Sequence, residues 1–251
     1  MTVASCNWPD PDPAPGMPPL VDDVARMNSK QVDRIFHVRT AEDIKHVLAL
    51  ARKYGKTVSM RGTRHSMGGH TITAGGFVLD LLHLKNWIFD PHTETVRTEP
   101  GVLWSDLIVG LNEYGYSPRT MQSYSTFSVG GSLAVNAHGI TTDFCMAEAV
   151  VQFTLIKWDG QEVEAARDAA TSEARELFSL ALGGYGMFGV ISNVTLKVCP
   201  NVKLSMEMLQ LPIHDFPATF EAALDNVDGD NDDIDVCHEE LTPRSFLRAA
   251  I

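Results

Sequence analysis

Arg61-Gly62-Thr63-Arg64-His65-Ser66-Met67-Gly68-Gly69-His70 is the first long glycine-rich segment of the chain. Three more follow, each beside an apolar run. Gly75-Gly76 leads into Phe77-Val78-Leu79-Asp80-Leu81. The third is Val129-Gly130-Gly131-Ser132-Leu133-Ala134-Val135-Asn136-Ala137-His138-Gly139, and the fourth Leu182-Gly183-Gly184-Tyr185-Gly186-Met187-Phe188-Gly189-Val190-Ile191. Glycine brings backbone amides close to a ligand and accepts positive φ. Runs of such amides form concave anion sites. Several within one domain imply a large ligand with a diphosphate, laid along the protein.

The sequence around the first segment alternates helix and strand signals. Thr40-Ala41-Glu42-Asp43 has the form of a helix start, with Thr40 as N-cap and an acid three residues on. Ile44, Val47, Leu48 and Ala51 follow at helical spacing, and Gly55 is placed to end the helix. Thr57 to Arg61 then alternates as a short strand. Phe77 to Leu81 and Thr95 to Thr98 are further strands, and Leu103 to Tyr114 is a second amphipathic helix. Val150 to Trp158 is a strand, Asp159-Gly160 a hairpin turn, and Glu162 to Ala165 the return. Ser172 to Leu182 predicts a third helix and Val190 to Val198 another strand. The mixture gives an α+β or α/β class.

The ends have a different texture. Residues 8 to 19 carry Pro9, Pro11, Pro13, Pro15, Pro18 and Pro19, so residues 1–27 are expected to be an extended arm. After Pro200, Met206, Met208, Leu209 and Leu211 alternate as a strand, Phe216 to Leu224 fits a helix, and Asp225 to Asp235 is an acidic loop. Residues 201–251 are too few for a normal domain and are expected to begin a second one.

Composition narrows the function. Hydrophobic residues make up 44% and charged residues 21% of 251, as in a soluble globular protein with a sizeable core. A formal charge of -12 argues against sequence-independent nucleic-acid binding and adhesion to anionic membranes. No apolar run approaches the roughly 20 residues of a membrane helix. No basic and apolar leader is expected at the N-terminus, and the compartment stays open between cytoplasm and an organellar lumen or matrix. Cys6, Cys145, Cys199 and Cys237 form no C-x-x-C pair, so free thiols are expected and no metal site.

The first segment lacks the G-K-[ST] of a Walker A loop and the G-x-G-x-x-G of the dinucleotide fold. It resembles the diphosphate loop of the vanillyl-alcohol oxidase and p-cresol methylhydroxylase flavoproteins, a family that includes cytokinin dehydrogenases and aldonolactone oxidases. Those proteins carry R-G-x-G-H-S or G-G-x-H-S here, and in many the histidine is bonded to FAD; the matching residue is His65. Val129-Gly130-Gly131-Ser132-Leu133 is similar to the family's V-G-G-x-L. Asn136-Ala137-His138-Gly139 matches the N-A-H-G of sugar and aldonolactone oxidases. Gly183 to Ile191 resembles G-G-x-G-x-F-G-V-I. Two residues depart: Arg64 replaces a glycine, and His70 stands where cytokinin dehydrogenases have glutamine.

The resemblance covers about residues 28–200. It implies an α+β FAD-binding domain of the p-cresol methylhydroxylase type, built from two α/β subdomains and followed by the start of a cap. The implied FAD contacts are Arg61, Gly62, Thr63, Arg64, His65, Ser66 and His70; Ser128, Gly130, Gly131, Ser132, Asn136, His138 and Gly139; and Gly184, Gly186, Gly189, Val190 and Ile191. Tyr124 to Ser128 holds no cysteine, so a second, cysteinyl link is not expected. The implied activity is oxidation of a CH–OH donor such as a sugar, alditol or aldonolactone by hydride transfer to flavin. A cytokinin-like amine is the second donor class. The base comes from the region after the FAD domain in this family, so no catalytic residue is assigned. The alternative is a catalytically incomplete FAD-fold subunit serving as scaffold in a larger assembly, with a partner polypeptide.

Overall fold

The computed structural model describes residues 17–139, 145–202 and 211–225. The expected strand around Met206, Met208 and Leu209 and the acidic loop beyond Asp225 lie outside the described residues, as does most of the proline-rich arm. The arm's last residues enter the fold: β1 (Leu20–Val21) pairs antiparallel with β2 (Lys30–Gln31). Val21 and Val32 are fully buried, against Val78.

A parallel sheet follows, built from β3 (Arg34–His37), β4 (Val58–Arg61) and β5 (Phe77–Asp80), with β5 in the middle. Helix α1 (Ala41–Tyr54) connects β3 to β4 and lays Ile44, Val47, Leu48 and Ala51 on the sheet. Thr40 Oγ1 accepts from the Asp43 amide at 3.1 Å, and the Asp43 carboxylate accepts from the Thr40 amide at 3.0 Å. The bond from the Arg39 amide is the main reason the Asp43 carboxyl titrates below its usual range. At the other end Gly55 takes φ 60°, the left-handed turn that glycine enters without a side-chain clash.

The second sheet is antiparallel. It contains β6 (Trp87–Asp90), β7 (Thr95–Thr98), β9 (Val150–Ile156), β10 (Glu162–Ala166) and β11 (Val190–Pro200), in the order β10-β9-β11-β7-β6. The end of β11 also pairs with β8 (Tyr116–Pro118). Helix α2 (Trp104–Asn112) buries Trp104, Leu107 and Leu111 against this sheet, and α5 (Ser172–Ala181) buries Ala174, Phe178 and Ala181. Phe178 stacks on Phe153 at 5.6 Å between ring centroids. Ile156 and Val190 of this sheet belong to the core cluster of the first, so the two sheets share buried surface.

Two short helices, α3 (Val129–Ala134) and α4 (Met146–Ala149), lie between β8 and β9; α6 (Phe216–Asp225) is the last described element. The third glycine-rich segment therefore begins as a helix. Gly130 and Gly131 disfavour helix intrinsically. Tertiary packing overrides this, because Gly130 sits against Pro100, whose Cβ would lie 2.5 Å from an added Cβ. One expectation fails: Cys199 is disulfide-bonded, whereas Cys145 is a free thiol. Spacing along the chain says nothing about which cysteines the fold brings together. Among the described residues, no helix is long and apolar enough to cross a membrane.

Replacing Thr40 by alanine removes one half of the α1 capping box and should destabilise the protein by about 1 kcal/mol. Urea unfolding at neutral pH checks this; an unchanged midpoint would show that α1 is held by its buried face alone.

Candidate functional site

The three parallel strands end in register: His37 lies opposite Asp80, and Asp80 opposite Arg61. Ligands in open α/β sheets bind outside such carboxyl ends. The Arg61 guanidinium donates to Asp80 Oδ2 from Nε at 3.0 Å and from Nη2 at 2.8 Å, and both side chains are 6% exposed. Arg61 was expected at the cofactor. It lines the site, with its charge bound to Asp80.

From Arg61 the chain enters the glycine-rich loop and meets α3. A Cβ on Gly62 would lie 2.1 Å from Ser128 Oγ, so only glycine permits this approach. Ser128 is the N-cap residue of α3, and its backbone bridges to Leu103. The fourth segment arrives from the other side. A Cβ on Gly186, at φ 77°, would lie 2.0 Å from Met60 Cε of β4. The Tyr185 amide donates to Ala134 O at 2.8 Å, and this holds Tyr185 at φ 51°, a left-handed conformation costly for a residue with a side chain. Its ring lies 5.0 Å from the His70 ring, joining the first and fourth segments.

Two cavities of about 290 and 170 Å³ open along this seam. Both are lined by Gly62, Ser66, Thr71, Gly131 and Val135, so they adjoin along one trough. The larger lies between β4, the start of β11 and the fourth segment, and takes in Arg61, His70, Gly130, Gly186, Gly189, Val190 and Ile191. The smaller lies under the first loop and takes in Thr63, Arg64, His65, Ser128 and Ser132. The other expected residues lie outside both. Asn136 Oδ1 accepts from the Ala147 amide, His138 Nδ1 bonds Gly139 O, and Gly184 packs on Leu180 O at the end of α5. The Ser132 hydroxyl is drawn into a buried chain, in which Trp104 Nε1 donates to it at 2.9 Å and it donates to Gln122 Oε1 at 2.8 Å.

His65 sits in the smaller cavity. Its Nδ1 is 2.9 Å from Thr63 Oγ1, its Nε2 is 3.2 Å from Thr126 Oγ1, and its ring lies 4.4 Å from that of Phe127. Burial pushes the imidazole below the ordinary histidine range. Neutral imidazole carries one N–H and one lone pair, so one threonine accepts from the ring and the other donates to it.

Sequence reasoning missed Ser59, Thr71 and Thr126. Ser59 and Thr71 line the trough, and their hydroxyls have no hydrogen-bond partner among the described residues. A buried hydroxyl without a partner costs free energy. Their only sequence signal is alternation, which places Ser59 on one face of a strand. Orphaned hydroxyls, a trough floored by glycines and a neutral histidine at one end fit a long dinucleotide such as FAD.

Comparison with known proteins agrees. Residues 32–166 match the family described as "FAD binding domain". The chain is 31% identical to L-gulonolactone oxidase of Mus musculus over 189 residues, 74% of this chain and 40% of that protein. It is 30% identical to cytokinin dehydrogenase 1 of Arabidopsis thaliana, over 66% of this chain and 30% of that one. It is 27% identical to D-lactate dehydrogenase of Anaerostipes hadrus, over 75% of this chain and 41% of that one. The match to the family model over more than half of its length shows that the chain belongs to the FAD-binding domain family, and its cofactor is FAD. The chain spans less than half the length of these relatives.

Gly62→Ala should cost about 1–3 kcal/mol by overpacking the seam. Adding Ser128→Ala should recover most of that loss in urea unfolding. A single variant as stable as the wild type would show that the Gly62–Ser128 approach is not fixed.

Proposed function

We propose that this chain is the cofactor-binding part of an FAD-dependent oxidoreductase. The donor is of the CH–OH type, a sugar, alditol or aldonolactone. The observation that carries the reading is the trough of two adjoining cavities, with two orphaned hydroxyls and a neutral histidine. Two of the relatives are named for a lactone and a hydroxy acid, which supports the donor class.

When bound, FAD supplies the hydride acceptor, and the protein's part is to hold and orient it. Ser59 and Thr71, whose hydroxyls have no partner among the described residues, would be available to hydrogen-bond the bound cofactor. Phe127 walls the smaller cavity beside His65. Thr63 lines that cavity and Thr126 does not. Between them the two threonines hold both ring nitrogens of His65 and fix the plane of the ring. His65 is the residue to carry a covalent link to the flavin.

Acid precipitation of the yellow protein tests this. The colour should stay in the pellet for the wild type and move to the supernatant for His65→Ala. Free FAD from the wild type refutes the link, and colourless protein after incubation with FAD refutes the reading as a whole.

The link should also have a characteristic pH dependence. The folded pKa of His65 is depressed, so the side chain stays neutral where an exposed histidine is charged. Incorporation of FAD into apoprotein should hold its rate as pH falls through the ordinary histidine range, about 6.5, and decline only below it. Stability behaves accordingly: the unfolded chain takes up the proton first, so stability is lost as pH falls from the unfolded to the folded pKa. An incorporation rate that halves at the ordinary value overturns the neutral-histidine assignment.

A further inference from the structure

We propose that residues 22–28 form a clasp that positions His65 for its cofactor, with Asp23 at its centre. The inference rests on the FAD reading above. The sequence placed residues 22–27 in an N-terminal arm, outside the binding domain, yet the segment touches the first glycine-rich loop at three points. The Val24 amide donates to Arg64 O at 3.0 Å. Asn28 Nδ2 donates to Met67 O at 3.0 Å. Asp23 Oδ2 accepts from the Gly69 amide at 2.8 Å. Only His65 and Ser66 lie between the first two points, and both line the trough.

The clasp is itself braced. Asp23 is 4% exposed. Its Oδ2 also accepts from Asn28 Nδ2 at 3.0 Å, and its Oδ1 from the Ala25 amide at 3.1 Å. Asp22 Oδ1 accepts from the amides of Asp23 and Asn28. A buried carboxylate is costly unless its lone pairs are satisfied, and here every bond comes from the clasp or from the loop. Two of the pinned residues, Arg64 at φ 62° and Gly69 at φ 72°, are left-handed. At Arg64 that conformation is strained, and the bond to Val24 holds it there. The clasp thus imposes the bend that carries His65 into the smaller cavity. Asp23 and Asn28 touch neither cavity, so they are positioning residues.

Asn in place of Asp23 turns one acceptor oxygen into a donor that faces N–H groups. Asp23→Asn and Asn28→Ala, made in the full chain, test the clasp by two readouts. The first is hydrogen exchange of apoprotein. Residues 64–69 should lose protection by about tenfold in Asp23→Asn, with α1 and β5 unchanged. The second is the rate at which added FAD becomes resistant to acid release. That rate should fall by about tenfold, with a smaller change in noncovalent FAD affinity, because His65 is misplaced more than the trough is. Asn28→Ala should move both readouts the same way and less far. Folded variants that match the wild type overturn the clasp alone. Loss of protection in the loop and both sheets together, or failure of both variants to fold, overturns it in favour of a general stabilising role. A wild type that takes no flavin overturns this inference together with the FAD reading.

Discussion

A guanidinium and a carboxylate, both almost out of reach of water, tie together the ends of two parallel strands: Arg61 of β4 and Asp80 of β5. Everything at the site is measured from that pair. A buried charge without its partner costs several kcal/mol, so neither strand end can slip along the other. His37 Nδ1, 3.5 Å from Asp80 Oδ2, completes the row of three strand ends. The loop that leaves Arg61 therefore starts from a fixed point, and its next residue is the glycine that meets Ser128.

The seam between the two sheets is built by omission of side chains. Gly62 against Ser128 and Gly130 against Pro100 are approaches that an added Cβ would crowd, and Gly186, beside the flexible end of the Met60 side chain, needs glycine for its φ of 77°. Larger residues there would push α3 and the fourth segment away from β4, and the trough would lose its floor. The polar groups work in the opposite sense. Ser59 and Thr71 are left without partners, whereas Ser132 is consumed by Trp104 and Gln122.

Much of the frame could be read from the chain. The capping box and Gly55 define α1 because both signals are local, within a few residues of the helix ends. The turn at Asp159-Gly160 and the alternation on either side give β9 and β10 for the same reason. The glycine-rich segments marked the trough, because close backbone approach leaves its trace in residue type. Helix α3 was hidden by its own glycines, whose propensity opposes what packing imposes. Arg61 was legible as a site residue but not as an ion-paired one, since Asp80 is 19 residues away and meets it through strand register. Asp23 gave no signal at all; its ligand, the Gly69 amide, is 46 residues distant. The disulfide at Cys199 was likewise invisible. Long-range satisfaction of polar groups has no period and no motif.

The position of β11 has a consequence for how such a protein is made. It pairs with β9 on one side and β7 on the other, and so lies between two hairpins, β6-β7 and β9-β10, that each form from nearby residues. Until residues 190–200 have left the ribosome the second sheet is two separate ribbons with open edges. The wall of the trough formed by Val190 and Ile191 does not yet exist. A complete trough for flavin therefore exists only after β11 has been inserted between the two hairpins.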